Sequence, residues 1–105
     1  MCREIIEMTI RNGGFTDTVE KTGFSVAVNG NEKVVELSEF NEKIVHGYKR
    51  NMKKGMVLGT WVNDNKVYLD TVKVFKDKDE ALKLAKLQNE LAIYDLENEL
   101  ELFVK

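Results

Sequence analysis

Gly59-Thr60-Trp61-Val62-Asn63-Asp64-Asn65-Lys66-Val67-Tyr68-Leu69-Asp70 is the stretch that decides the fold. Two strand-like runs flank Asn63-Asp64-Asn65, and Asn and Asp tolerate the left-handed backbone that a tight hairpin needs. The runs extend back to Met56 and on to Phe75, which predicts a hairpin of residues 56–62 and 66–75. Asp77-Lys78-Asp79-Glu80 then opens a helix to about Asn89, with acids in the first turn, where the helix dipole is positive. Ala81, Leu82, Leu84, Ala85 and Leu87 give this helix a wide apolar face, opposite Lys83, Lys86 and Glu90. A last hairpin pairs 91–96 with 99–104. There Leu100, Leu102 and Val104 alternate with Glu99 and Glu101, as in a sheet covered on one face and wet on the other.

Working back towards the start, residues 4–12 predict a short helix. Ile6 and Ile10 are four apart, and Asn12-Gly13-Gly14 supplies a left-handed stop, although Ile6, Met8 and Ile10 also alternate as in a strand. Residues 15–19 and 23–28 predict strands. In the second, Phe24, Val26 and Val28 share one face, and Ser25 and Ala27 the other. Asn29-Gly30-Asn31 is a turn signal before a strand at 33–37, so a further hairpin is expected there. Residues 41–53 predict a helix, with Phe40, Ile44, Tyr48 and Met52 at four-residue intervals and Val45 beside them. Asn41 caps its start and Gly55 closes it. The expected architecture is α+β: an antiparallel sheet built from hairpins, with two or three helices packed on one face, in a single domain of residues 1–105.

Composition agrees with one folded domain and narrows its setting. The chain has 105 residues, 43% hydrophobic and 32% charged, which suits one domain with its own core. No apolar run approaches the ~18 residues of a membrane span, and the first residues lack the form of a secretory signal. Cys2 is the only cysteine, so no internal disulfide can form; a reducing, cytoplasmic setting is expected. Net charge is −2 but unevenly spread: −3 over residues 1–40, +5 over 41–76 and −4 over 77–105. A bipolar layout can steer two kinds of partner, and it does not match a dedicated nucleic-acid binder, whose whole domain is basic.

Catalytic, cofactor-binding and metal-binding constellations are not expected. His46 is the single histidine, and further His or Cys ligands at short spacing are lacking. Ser25 and Ser38 sit in no nucleophile elbow, and neither Gly13-Gly14 nor Gly55 with Gly59 forms a phosphate-binding loop. Three candidate surfaces remain. The first is acidic: Glu97, Glu99 and Glu101. The second is the basic helix end Lys49, Arg50, Lys53 and Lys54, suited to phosphate contacts of modest, salt-sensitive strength. The third is Trp61, Tyr68, Asp70, Tyr94 and Asp95. If the strands carrying 68–70 and 94–95 are neighbours, two Tyr and two Asp converge, an arrangement for general acid–base work or for holding a small ligand. Asp near a strand end also caps turns, which is the plainer expectation. Trp61 is expected as a core anchor against the helix of residues 79–89, with a surface hot spot as the alternative.

The set Gly59-Thr60-Trp61-Val62, Lys66-Val67-Tyr68-Leu69-Asp70, Asp79-Glu80-Ala81-Leu82 and Leu91-Ala92-Ile93-Tyr94-Asp95-Leu96 resembles a group of small proteins encoded by bacteriophages and mobile elements. The resemblance covers about residues 56–96, with Asn12-Gly13-Gly14 near the front. Asn63 stands where Asp is common in the group, and Glu90 where Gln is common. The resemblance implies a non-enzymatic protein that binds and inhibits a host defence nuclease, in the manner of anti-CRISPR and anti-restriction inhibitors, most concretely a Cas9-type effector. The acidic residues would then imitate nucleic-acid phosphate on a basic cleft. A nucleic-acid-binding accessory protein is the alternative. A homodimer is compatible with the exposed sheet edges.

Overall fold

The computed structural model describes residues 2–104, with the side chain of Cys2 outside the described part. The elements are α1 (Cys2–Asn12), β1 (Gly14–Thr16), β2 (Phe24–Glu36), a 3-10 turn (Leu37–Glu39), α2 (Glu42–Arg50), β3 (Val57–Asn63), β4 (Lys66–Phe75), α3 (Lys78–Leu87), β5 (Ala92–Asp95) and β6 (Leu100–Phe103). The six strands form one antiparallel, curled sheet in the order β1-β3-β4-β2-β5-β6. The fold is α+β, as the hairpin spacing predicts.

Local chemistry sets most boundaries. Asp64 and Asn65 hold φ of 53° and 61°, the two successive left-handed residues of a tight hairpin turn, and β3 pairs with β4 from Val57–Val72 to Asn63–Lys66. Asn41 caps α2 by accepting from the Ile44 amide at 3.0 Å, and Asp77 caps α3 by accepting from the Asp79 amide at 2.9 Å. Gly13, at φ 79°, closes α1, its amide donating to the Thr9 carbonyl oxygen.

The hairpin expected across Asn29-Gly30-Asn31 does not form. Residues 24–36 are one strand, and both of its halves pair with β4: Phe24–Val28 against Phe75–Thr71, then Lys33–Glu36 against Leu69–Lys66. Five steps from Val28 to Lys33 face two steps from Thr71 to Leu69, so β2 carries a bulge of three extra residues. Gly30, at φ 102°, gives the bulge its left-handed residue. The bulge is clamped on both sides. The Tyr48 hydroxyl from α2 donates to the Asn31 carbonyl oxygen and lies 3.1 Å from the Thr71 hydroxyl. Gln88, at the end of α3, donates to the Ala27 carbonyl oxygen at 2.8 Å and accepts from the Asn29 amide at 3.0 Å. Gln88 thereby takes over the edge of β2 that β5 pairs only at Phe24 and Ser25.

Both core clusters lie on one face of the sheet. Ile5, Phe40, Val45, Leu58, Val67 and Leu69 join α1 and α2 to β3 and β4. Val26, Ala81, Ala85 and Ile93 join α3 to β2 and β5. Val26 pairs with Lys73, which alternates in phase with Leu69 and Val67, so the three helices share that face. Fully buried Thr9 satisfies its hydroxyl by donating to the Ile5 carbonyl oxygen at 2.7 Å, and it meets the Thr60 hydroxyl where α1 crosses β3. Among the described residues no helix is long and apolar enough to cross a membrane.

Two substitutions test this packing by urea unfolding. Leu69→Ala, at a fully buried position, is expected to cost about 2–5 kcal/mol. Leu87→Ala, 77% exposed at the end of α3, is expected to change stability by less than about 0.5 kcal/mol.

Candidate functional site

The helix-free face of the sheet is concave and holds a cavity of about 1080 Å³. Its floor follows from strand alternation. On β4, Tyr68, Asp70 and Val72 point away from the helices. Their partners on β3 are Trp61, Gly59 and Val57. On β2, Ala27 lies opposite Val72; Ser25 lies beside Tyr94 of β5, which in turn lies beside Glu101 of β6. The middle of the floor is built from small residues, Gly59, Ala27, Ser25 and Ala92, and this is what leaves room above it. Gly59 is required there: a Cβ would sit 2.6 Å from Val72 Cγ2.

The charge of the groove has one sign. Glu20, Glu32, Asp70, Glu90, Glu99 and Glu101 line it, and among the described residues no Lys, Arg or His does. Among the described residues only Glu20 of these has an ion-pair partner, Lys76 at 3.1 Å. The consequences appear in the titrating groups. Burial first, and then the neighbouring Glu32 charge, push Asp70 up to about 6, with Glu90 adding to the rise; a hydrogen bond from Trp61 Nε1 at 3.3 Å opposes it. Glu90 is raised by burial and by Glu32. At the other end of the groove burial, followed by Glu99, Glu101 and Asp95, raises Tyr94.

Trp61 is not a core anchor. It lies on the face away from α3, 42% exposed, and stacks on Tyr68 with ring centroids 4.2 Å apart and planes 12° apart. Leu58, Thr60 and Val62 take the covered positions of β3, and alternation places Gly59 and Trp61 on the open side. The expected convergence of two Tyr and two Asp is half realised. β4 and β5 are not neighbours, because β2 lies between them. Tyr68, Asp70 and Tyr94 nonetheless line or border the same concave face. Asp95 points to the covered side and closes the β5–β6 turn: its carboxylate accepts from the Asn98 side chain at 2.8 Å and from the Glu97 and Asn98 amides. The Asn98 side-chain bond, ahead of those amides, holds the Asp95 carboxyl below the usual carboxylate range.

Of the acidic trio, Glu99 and Glu101 line the groove, whereas Glu97 is exposed in the turn and does not. The basic helix end belongs to the covered side with α2. Lys49 there is paired with Asp17 at 2.9 Å, and Arg50, Lys53 and Lys54 are exposed. Three members of the groove escape a reading of the sequence. Glu32 enters it only because of the bulge, and Glu90 only because β5 starts beside that bulge. Ser25, 7% exposed, lines the floor with a hydroxyl that has no hydrogen-bond partner among the described residues. Its place on the open side of β2 is the one signal alternation gave. Among the described residues no group of three or more His, Cys, Asp or Glu is arranged to hold a metal ion.

The groove is therefore a half-open trough with a flat aromatic wall at one end, a tyrosine at the other, and carboxylates along it of which, among the described residues, only Glu20 is ion-paired. Such a surface attracts cations through its charge and its π faces together. No protein-family profile, curated protein or solved structure matches the chain.

The raised Asp70 carboxyl gives a signed pH dependence. Between 3.8 and about 6 the folded chain holds a proton that the unfolded chain has released, so this group lowers stability as pH rises through that window. Asp70→Asn removes the penalty while keeping an acceptor for Trp61. At pH 7 the variant is expected to be more stable than the parent by about 1 kcal/mol, a figure reduced for the solvent screening of a half-exposed group. Below pH 4 the gap closes. Urea unfolding of both proteins across pH 4–7 measures it; a gap that does not vary with pH refutes the assignment.

Proposed function

We propose that this chain is a non-enzymatic binding protein that presses its acidic concave face onto a basic surface of a nucleic-acid-processing protein and blocks that surface. The observation that carries the reading is a groove lined by six carboxylates and, among the described residues, by no basic side chain. Clustered like charge destabilises the chain that bears it, and a partner of opposite sign relieves the cost on binding. Nucleases hold nucleic-acid backbone in positively charged channels, so an acidic trough can compete for the same groups. Together with the resemblance to phage and mobile-element proteins, this makes a host defence nuclease of the Cas9 type the most concrete target, and the cytoplasm of a host cell the setting.

Two observations keep other occupants in view. Tyr68, Asp70 and Tyr94 share the groove face, which also fits a small organic cation. Arg50, Lys53 and Lys54 are exposed on the opposite side and suit weak phosphate contacts, although Lys49 is engaged by Asp17.

A cleavage assay with a purified Cas9-type nuclease decides the main reading. Addition of the chain is expected to slow cutting. The triple variant Glu32→Gln, Asp70→Asn, Glu90→Gln is expected to raise the half-inhibiting concentration at least about tenfold, and added salt to weaken inhibition by the parent. Cutting that stays unchanged across several basic-cleft nucleases rejects the proposal. A gel shift at low salt tests the phosphate contacts separately.

A further inference from the structure

One corner of the groove has a more specific chemistry than charge alone. Trp61 and Tyr68 stack to make a flat wall, and one face of the indole is occupied by the Tyr68 ring. On the other side the residue paired with Trp61 is Gly14 of β1, which has no side chain to cover the indole. Gly59, two residues back along β3 and opposite Asp70, is equally bare. The two glycines leave an open lane beside the second face of Trp61 and on towards the Asp70 carboxylate. That carboxylate accepts a single hydrogen bond among the described residues, from Trp61 Nε1 to Oδ2, which leaves Oδ1 without a donor. Glu32 and Glu90 add negative charge to the same corner.

We propose that this corner, bounded by Trp61, Tyr68, Asp70 and the bare Gly14 and Gly59, seats an arginine side chain of the bound partner. The inference rests on the acidic-groove reading and adds the identity of the recognised group. A guanidinium is planar, stacks on an aromatic face, and offers several N–H donors in a fixed fork to a carboxylate beside that face. The corner supplies both halves of that recognition, a flat ring with one side clear and a carboxylate at its edge with acceptor capacity to spare. A lysine ammonium is a strongly hydrated point charge; it gains from the carboxylates but makes poor use of the flat wall. The remaining acids, Glu99 and Glu101 near Tyr94, serve the rest of a basic segment without selecting between the two cations.

Hexa-arginine and hexa-lysine peptides, equal in charge, separate the two properties. Calorimetric titration at moderate salt is expected to give the arginine peptide about tenfold the affinity of the lysine peptide. Because Trp61 is the only tryptophan, its fluorescence reports the corner directly, and it is expected to change with the arginine peptide far more than with the lysine peptide. Trp61→Phe and Asp70→Asn, both at positions outside the two cores, are each expected to reduce the preference to within about twofold. Glu99→Gln with Glu101→Gln is expected to weaken both peptides alike. Equal affinity for both peptides with unchanged Trp61 emission overturns the arginine seat and leaves the acidic groove standing. An arginine preference that survives both corner variants also overturns the seat. Binding of neither peptide overturns the seat and the groove reading together.

Discussion

Three extra residues in the middle of a central strand control the form of this molecule. β2 is hydrogen-bonded to β4 on both sides of its bulge, so the sheet continues through the irregularity and does not end there. A bulge bends its strand and increases the local twist. Here it also reverses the alternation, because an odd number of residues is inserted. Val26 and Val28 face the helices before the bulge, and Val35 faces them after it. The two halves of β2 thus feed two separate cores, one under α1 and α2 and one under α3. The bulge could not persist with its backbone groups unpaired. Tyr48 from one core and Gln88 from the other supply those partners, so each helix layer holds the same irregularity from its own side.

The open face is a consequence of that arrangement. The curl of the sheet makes the helix-free side concave, and Gly59, Ala27, Ser25 and Ala92 keep the hollow from being filled by its own floor. Larger side chains at these positions would close the trough, and at Gly59 the approach of Val72 leaves no room for one. The bulge also delivers Glu32 beside Asp70, which places like charges together in a partly buried setting. A chain selected only for stability would pair or disperse them. Their persistence on a concave face, beside an exposed aromatic stack, is the local conflict on which the proposal of a positively charged partner rests.

How much of this was legible in the sequence depends on the range of the interaction concerned. The β3–β4 hairpin, the Asn41 cap, the Gly13 stop and the last hairpin are set by neighbours within a few residues, and the spacing of turn formers reveals them. The bulge was not legible. Asn29-Gly30-Asn31 is as good a signal for a hairpin as for a bulge; the choice is made by β4, some forty residues away, and by the distant side chains Tyr48 and Gln88. Trp61 illustrates the same limit at a single residue. A lone tryptophan on a strand suggests a core, yet Leu58, Thr60 and Val62 carry the covered face, and parity sends Trp61 outwards. The acidic face was legible only at Glu99 and Glu101. Glu20, Glu32, Asp70 and Glu90 join them from positions scattered along the chain, brought together by strand order and by the bulge.

Asp70 and Asp95 show why placement, more than residue type, assigns the roles. Both follow a tyrosine-bearing stretch on a strand; Asp95 is buried and Asp70 is partly exposed. Asp95 meets three donors in its own turn and is held ionised as a structural brace. Asp70 meets one donor and two like charges, and its carboxyl is raised. The first is satisfied within the chain, and the second is not. The same contrast holds across the whole molecule: the basic end of α2 lies on the helical side and the unpaired acids line the trough on the other. The opposition gives the protein a dipolar field that extends over roughly a Debye length, about 8–10 Å at ordinary salt. On the proposed reading, a basic partner approaching through that field would be turned towards the trough before contact. Orientation by charge and the proposed recognition by the groove would then act on the same face, through the interactions that stay unsatisfied inside the protein.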